Sequence, residues 1–487
     1  MSDASALETM IAFGASRERA DLDQYSKDMS FVNPVRPALV ARPRNTEDVR
    51  RIVHLANETK TPLVPVSSGP PHFRGDTVPS VGGAVIVDMS GMKKVMVVDR
   101  KRRVAMCEPG VTFGELIPEV RREGLRLNMP LLPRKSKSVV GSILEREPVI
   151  MPKYQWDISD PLACAEIFFG TGDEFRTGQA AGPGTVAEQW AVGGVQKAPY
   201  GPGTASWHRL IQGAQGTMGI VTWLSMRCEL FPSLEEPFVV GSSNLDKLLE
   251  LTYWLIRLRL VNECFILNNT NLAAIVTKNW PNDYQKLKDA LPAWTLFYTV
   301  AGYEYFPEER VSSQIKDITE ITQRLGIEAA KAAGGVSANE ILKAVQQPCG
   351  EPYWKLRQKG ACQDIFYLTL FEKLRGQIGA MNDLAEKAGY PASQIGMYIQ
   401  PVVQGTSCHC EFNLFYDPGN QRELNRVKEV STLAIKSLMA NGAFFSRPYG
   451  ESTGMILNRD AATVSVLDKL KKIFDPNNVM NPGKMCF

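Results

Sequence analysis

Residues Pro62–Gly91, PLVPVSSGPPHFRGDTVPSVGGAVIVDMSG, constrain the fold more than any other stretch of this chain. An apolar run from Leu63 to Val66 stops at Ser67-Ser68-Gly69, passes through Pro70-Pro71, and resumes at Ala84–Met89. Apolar runs that short, bounded by Gly, Pro and Ser, predict two buried strands joined by a loop of small residues. Only small residues let backbone N–H groups approach a bulky anion closely. Ser67, Ser68, Gly69 and Gly75 are therefore candidates to cradle a pyrophosphate. A plain turn explains the same composition, so the remaining segments must decide.

At 487 residues the chain is too long for one core, and two or three domains are expected. Its 55 Lys and Arg against 52 Asp and Glu leave too little charge to favour nucleic acid or an anionic membrane as partner. The first 20 residues carry Asp3, Glu8, Arg17 and Glu18 with no apolar core, so no signal peptide is read there. No apolar run reaches membrane-spanning length. The 9 cysteines contain no CxxC pair, which argues against disulfides, zinc and iron–sulfur sites and for a cytoplasmic protein. Cys408-His409-Cys410 reads as a half-buried strand with both thiols on one face.

In order, residues 4–29 read as a polar helical arm, and Thr46 as the N-cap of a helix with Val49, Ile52, Val53, Leu55 and Ala56 on its apolar face. A strand pair, Lys93–Asp99 and Arg103–Glu108, precedes a helix entered through Thr112. In KSVVGSILEREPVI, Gly141 and Ser142 again permit close approach of a flat or charged ligand. Glu145 stands among Val139, Val140, Ile143 and Leu144; burial there would raise its pKa, as a general base requires, whereas a neighbouring cation such as Arg146 would make it structural. Leu162–Phe169 and Glu174–Thr177 read as a hairpin. Gly213–Gly219 leads into a strand from Ile220. Between residues 236 and 440 helices (Leu245–Leu260, Glu308–Leu325, Ile341–Val345, Gly376–Ala388, Glu423–Met439) alternate with strands (Thr295–Gly302, Met397–Gln400, Cys408–Phe415), which fits an antiparallel sheet covered by helices. Phe231-Pro232-Ser233 is the expected boundary.

Taken in order, RPRNTEDVRRIVHLAN, PVSSGPPHFRGDTVP, GGAVIVDMSGMKKV, EPGVTFGEL, GSILER, EIFFGTGDEFRTG, PYGPG and GAQGTMGIVT resemble the FAD-binding half of the vanillyl-alcohol oxidase and 4-cresol dehydrogenase flavoproteins. LRLVNECFILNNTNLAAIV and SCHCEFNLFYDP resemble that family's cap domain, and KKIFDPNNVMNPGKMCF resembles its closing segment. The resemblance implies an α+β, two-domain FAD-binding fold. Residues 1–235 would form the first part of the FAD domain, 236–440 a substrate-binding cap with an antiparallel sheet covered by helices, and 441–487 a segment returning to the FAD domain.

The resemblance also implies chemistry. FAD would take a hydride from the benzylic or alcohol carbon of a small para-substituted phenol, through a quinone methide. Pro65, Val66, Ser67, Ser68, Gly69, Pro70, Gly75, Gly141, Ser142, Gly216, Gly219, Ile220, Val221 and Asn481 would hold the cofactor. Glu145 falls on the family's acid/base position, and Arg447 on an arginine that faces both flavin and phenolic oxygen. The family's tyrosine before that arginine is here Ser446, and Phe73-Arg74 stands where its pyrophosphate-loop tyrosine belongs; Tyr449 is the candidate substitute. The FAD would be free, or tethered through His409 or His72. No metal is expected. Two further readings stay open: a 2-hydroxy-acid dehydrogenase of the glycolate or D-lactate kind, with Arg447 or Arg74 on a carboxylate, and a flavoprotein subunit serving an iron–sulfur or cytochrome partner. The expected acceptor is oxygen or a redox protein, and the expected assembly a homodimer or larger even oligomer.

Overall fold

A computed structural model of the chain describes residues 15–152, 161–203, 207–402, 405–450 and 452–487. Of the expected N-terminal arm, residues 4–14 lie outside the described residues, and the helix that follows is confined to Arg19–Gln24.

Strands β1 (Leu39–Ala41), β2 (Leu63–Val66) and β3 (Val85–Asp88) form a parallel sheet in the order β1-β3-β2. The crossover is the helix Thr46–Thr59, whose Val49, Ile52, Val53, Leu55 and Ala56 bury against Leu39, Leu63 and Val85. Its N-cap is Asn45 rather than Thr46: the Asn45 side chain accepts from the Asp48 N–H, a shorter reach that leaves Thr46 inside the first turn. Parallel strands buried on both faces read as unbroken apolar runs, which is why the opening stretch was legible.

A second sheet is antiparallel: β4 (Val95–Asp99), β5 (Val104–Cys107), β9 (Gly219–Leu230), β7 (Leu162–Phe169) and β8 (Glu174–Arg176) follow one another in space, and β6 (Leu125–Leu127) also pairs with β9. The expected hairpin is β7–β8, and Thr112 caps the helix Phe113–Arg122 through a full capping box with Glu115.

The chain then enters a six-stranded antiparallel sheet, ordered β10-β12-β11-β16-β17-β15. Its strands are β10 (Leu234–Ser242), β11 (Cys264–Asn268), β12 (Trp294–Gly302), β15 (Ala361–Thr369), β16 (Gly396–Val402) and β17 (Ser407–Tyr416), with a short hairpin, β13 (Ala332–Ala333) and β14 (Val336–Ser337), outside it. Alternation splits the side chains between two cores. Cys264, Ile266, Tyr298, Cys410 and Phe412 pack beneath the helices Leu245–Arg257, Pro307–Leu325, Phe371–Lys387 and Gln421–Ala440. Phe265, Leu267, Phe297 and Tyr398 join a second cluster with Leu131, Ile150 and Trp354. This is the antiparallel sheet covered by helices that the sequence predicted.

Two features lock the bodies together. Buried Arg126 on β6 donates to Glu235 on β10 at 2.9 Å and to Glu263. At the C-terminal end, Met480 bridges Leu63 in parallel register, and buried Lys471 donates to the carbonyls of Thr217 (2.5 Å) and Met480 (2.8 Å).

Candidate active site

A cavity of about 230 Å³ lies between the loop after β2, the helix Val139–Leu144, the turn before β9 and the cap sheet. Its two ends differ in chemistry.

One end is lined by Pro65, Val66, Ser67, Ser68, His72, Gly141, Gly216, Gly219, Ile220 and Val221, together with Met89, Val140 and Ile167. These segments are drawn together by short hydrogen bonds. Ser68 Oγ accepts from the Ser138 N–H at 2.9 Å, and Ser138 Oγ caps the helix by accepting from Gly141 N–H at 2.9 Å. A β-carbon on Gly141 would sit 2.8 Å from Ser67 Oγ, so a larger residue would displace that hydroxyl. Gly216 adopts φ +71° with its α-carbon against the ring of Pro65. A groove walled by small and aliphatic residues and crossed by backbone amides suits a dinucleotide with a flat ring.

Four expected cofactor residues play supporting parts. Gly75 already donates its N–H to Asp28 at 2.6 Å, and a β-carbon there would meet Val32, so its glycine serves packing rather than an anion. Ser142 Oγ donates to Glu147 at 2.6 Å. The Asn481 amide donates to the carbonyls of Asp76 (2.9 Å) and Gln215 (2.7 Å), stitching the tail to both cofactor segments. His409 does not line the cavity. It sits buried on β17 with Nε2 3.4 Å from Glu411, its ring between Phe366 and Tyr398. His72 does line the cavity, with Nε2 2.9 Å from the Ser68 carbonyl; burial lowers the pKa of both histidines. Gly69 and Pro70 lie in the same loop without lining the cavity.

The other end is ionic. Glu145, at the C-cap of the helix Val139–Leu144, meets cations, the second of the two surroundings the sequence left open. Arg74 donates to it and, at 2.9 Å, to Glu147, while Lys137 reaches Glu145 at 3.0 Å and Glu147 at 2.9 Å. The apolar neighbours in sequence face the core, whereas the helix end turns the carboxylate outward. Arg146 takes no part, since its guanidinium donates to the Ser446 carbonyl at 2.5 Å. Burial alone would raise the Glu147 carboxyl, yet Lys137 and Arg74 outweigh it and hold the group well below the usual carboxylate range.

Opposite stands a second ionic group from the cap. Buried Lys355 donates to Asp364 at 2.6 Å and Glu411 at 2.5 Å, and the Asn413 amide donates to both at 2.7 Å. Arg447 differs from these cations. It is 7% exposed, lies 4.3 Å over the Phe366 ring, and has, among the described residues, one polar contact, at 3.4 Å to the Glu145 backbone carbonyl. Burial, then the neighbouring Arg74, bring its pKa down to about 10. Tyr449 flanks it and packs beneath the Arg74 guanidinium at 5.2 Å; burial, then Glu145, push its phenol upward. Asp76, also on the wall, has its carboxyl raised to about 6 by burial and by Glu145.

Glu145, Arg447 and Tyr449 thus line one cavity. Lys137, Glu147, Lys355, Asp364, Glu411 and Asp76 were not anticipated. A signal for two of the partners existed: on a strand, the alternation that places Cys408 and Cys410 on one face places His409, Glu411 and Asn413 on the other. Among the described residues, no group of three or more His, Cys, Asp or Glu side chains is arranged to hold a metal ion.

Residues 37–172 match the family profile of the FAD binding domain, and residues 273–485 that of the FAD linked oxidases, C-terminal domain. The mitochondrial D-lactate dehydrogenase (cytochrome) of Arabidopsis thaliana is 22% identical over 461 residues, covering 92% of this chain and 73% of its own. The flavoprotein subunit of 4-cresol dehydrogenase (hydroxylating) from Pseudomonas putida is 22% identical over 475 residues, 92% of this chain and 87% of its own. The crystal structure of p-cresol methylhydroxylase with substrate bound superposes with a TM-score of 0.85 at 19% identity, covering 99% of this chain and 96% of the other. The last likeness establishes the vanillyl-alcohol-oxidase-type fold.

Proposed function

We propose that this FAD-dependent oxidase or dehydrogenase removes a hydride from the benzylic or alcohol carbon of a small, para-substituted phenol-like substrate. The observation that carries the reading is Arg447, a buried guanidinium stacked over the Phe366 ring, with no carboxylate partner among the described residues, in a cavity lined on that side by Tyr398 and Tyr449. Bound FAD supplies the two-electron acceptor. The chain supplies the rest. Ser67, Ser68, Gly141, Gly216 and Gly219 to Val221 form the cofactor groove, and His72 is the better placed of the two histidines for a tether. Arg447 stabilises negative charge on the phenolic oxygen, which a preorganised cation does best where water is excluded. Glu145 is the acid/base group at the reacting carbon, its carboxylate oriented by Arg74 and Lys137. The acceptor that regenerates the enzyme is oxygen or a redox protein, and the working unit is a cytoplasmic homodimer. No helix among the described residues is long and apolar enough to cross a membrane.

A second reading, oxidation of a 2-hydroxy acid, is favoured by the D-lactate dehydrogenase relative and by the same Arg447, which suits a carboxylate as well as a phenolate. Anaerobic titration of the flavin absorbance separates the two. Bleaching by a 4-alkylphenol or 4-hydroxybenzylic alcohol, slowed about a hundredfold or more by Glu145→Gln, is the expected result. Bleaching by D-lactate alone would overturn the phenol reading in favour of the second.

A further inference from the structure

We infer that Arg134 is a substrate-recognition residue that holds a carboxylate, so that the natural substrate is an aromatic acid rather than a neutral phenol. The inference deepens the proposed function and rests on it for the aromatic ring. Arg134 lines the cavity, is 5% exposed, and carries a buried Nη1 with no hydrogen-bond partner. Its guanidinium lies 5.1 Å over the ring of Phe73, which itself meets Tyr353 edge-on at 5.9 Å. The backbone that presents it is clamped to the cap: Cys349 N–H donates to the Pro133 carbonyl, and Lys135 N–H to the Cys349 carbonyl, both at 2.7 Å.

Each other cation on this wall is accounted for. Arg74 and Lys137 share Glu145 and Glu147, Lys355 holds Asp364 and Glu411, and Arg447 faces the proposed phenolate. Among the described residues, Arg134 is the one of these cations that makes neither an ion pair nor a polar contact through its guanidinium. The acidic groups that face it, Glu351, Glu145 and Glu147, leave it short of ion-pair distance, and burial lowers its pKa. A guanidinium held dry and unpaired is costly unless a ligand completes it, and its planar fork matches a carboxylate with two parallel hydrogen bonds. Trp354, the next residue after Tyr353, leaves a second buried donor, Nε1, unpartnered in the same lining. The anionic oxygens could also belong to FAD. Phe73, Tyr353 and the clamped Cys349 segment surround Arg134 and support substrate as the assignment; its charge also reaches His72 beside Ser68, so loss of FAD from an Arg134 variant would give the oxygens to the cofactor instead.

The test compares 4-ethylphenol with 4-hydroxyphenylpropanoate, which share a ring and a benzylic carbon and differ in the carboxylate. Binding to the FAD-loaded protein is read by calorimetry under anaerobic conditions, so the result does not depend on turnover. The wild type should bind the acid at least about tenfold more tightly. Arg134→Gln should abolish that preference while leaving 4-ethylphenol affinity and FAD content unchanged, and Arg134→Lys should restore part of it. Equal weakening of both probes, loss of FAD from either variant, or a wild type with no preference for the acid would each overturn the inference. If the acid binds through Arg134 yet neither phenol bleaches the flavin, the phenol-oxidation reading fails and the carboxylate site stands.

Discussion

At one end the cavity is walled by backbone and small residues, Ser67, Ser68, Gly141 and Gly216, whereas at the other it is walled by ionised side chains drawn from both domains, Arg74, Lys137, Glu145, Lys355, Asp364, Glu411 and Arg447. The first half owes its shape to close approach, and the second to charge balance. Close approach is a local property, written in adjacent small residues. Charge balance is assembled from distant segments: Arg447 contacts the Glu145 carbonyl across 302 positions of sequence, and Arg74 reaches Glu145 across 71. A substitution in one half should therefore be felt as cofactor affinity, and in the other as stability, substrate affinity or rate.

The largest effect is expected where a buried charge loses its partner. Lys355→Met leaves Asp364 and Glu411 facing each other, and breaking such a buried group costs about 3–5 kcal/mol. Burial opposes charge on Lys355, but the two carboxylates outweigh it and raise its pKa well above the ordinary value. Denaturant unfolding of the FAD-loaded protein measures the loss. A change below about 1 kcal/mol would mean that water reaches the group and that the ionic half is not dry.

Next comes Arg447→Gln. Removing a preorganised charge at the phenolic oxygen should slow flavin reduction by about a hundredfold, with FAD content unchanged. Loss of FAD in this variant would instead blur the division between the halves.

Much of the first half could be read from the sequence, and little of the second. The strand–loop–strand of Pro62–Gly91, the Thr112 cap and the β7–β8 hairpin follow from apolar runs and turn residues, which act over a few positions. For Glu145 the sequence left an apolar surround and a cation partner both open and named Arg146, because helical neighbours in sequence say nothing about what a helix end faces. Its real partners, Arg74 and Lys137, lie in loops whose course depends on tertiary packing. Lys355 and Asp364 carry no local signature at all: one precedes an edge strand and the other sits within it, and their meeting depends on the β15–β17 register that sets Asp364 opposite Asn413. Asn481 was legible as a tail residue near the cofactor, while its stitching of Asp76 to Gln215 was not.

The cofactor half can be tested by adding one methyl group. Gly141→Ala places a β-carbon 2.8 Å from Ser67 Oγ, so the Ser67 hydroxyl must turn away or the loop must shift. Overpacking of this kind costs about 1–3 kcal/mol, and it should appear as faster FAD release with little change in substrate preference. Gly69→Ala is the control, since nothing lies within 4 Å of its added carbon. Equal FAD loss in both variants would show that the effect is not close approach.

The smallest and most specific effect is a pH dependence at the border between the halves. Asp76 has its carboxyl raised from 3.8 to about 6 by burial and by Glu145. A carboxyl whose folded pKa lies above its unfolded value binds its proton more tightly in the folded state. The stability this contributes is complete below pH 3.8 and is lost as the pH rises through about 6. Asp76→Asn removes the dependence, so the variant's melting temperature should gain on the wild type's between pH 4 and 6 and hold a constant lead above that. Differential scanning of the FAD-loaded proteins across this range reads the difference directly. A gap that does not change with pH would mean that Asp76 is solvated like an ordinary surface carboxylate and that the ionic half stops short of the cofactor loop.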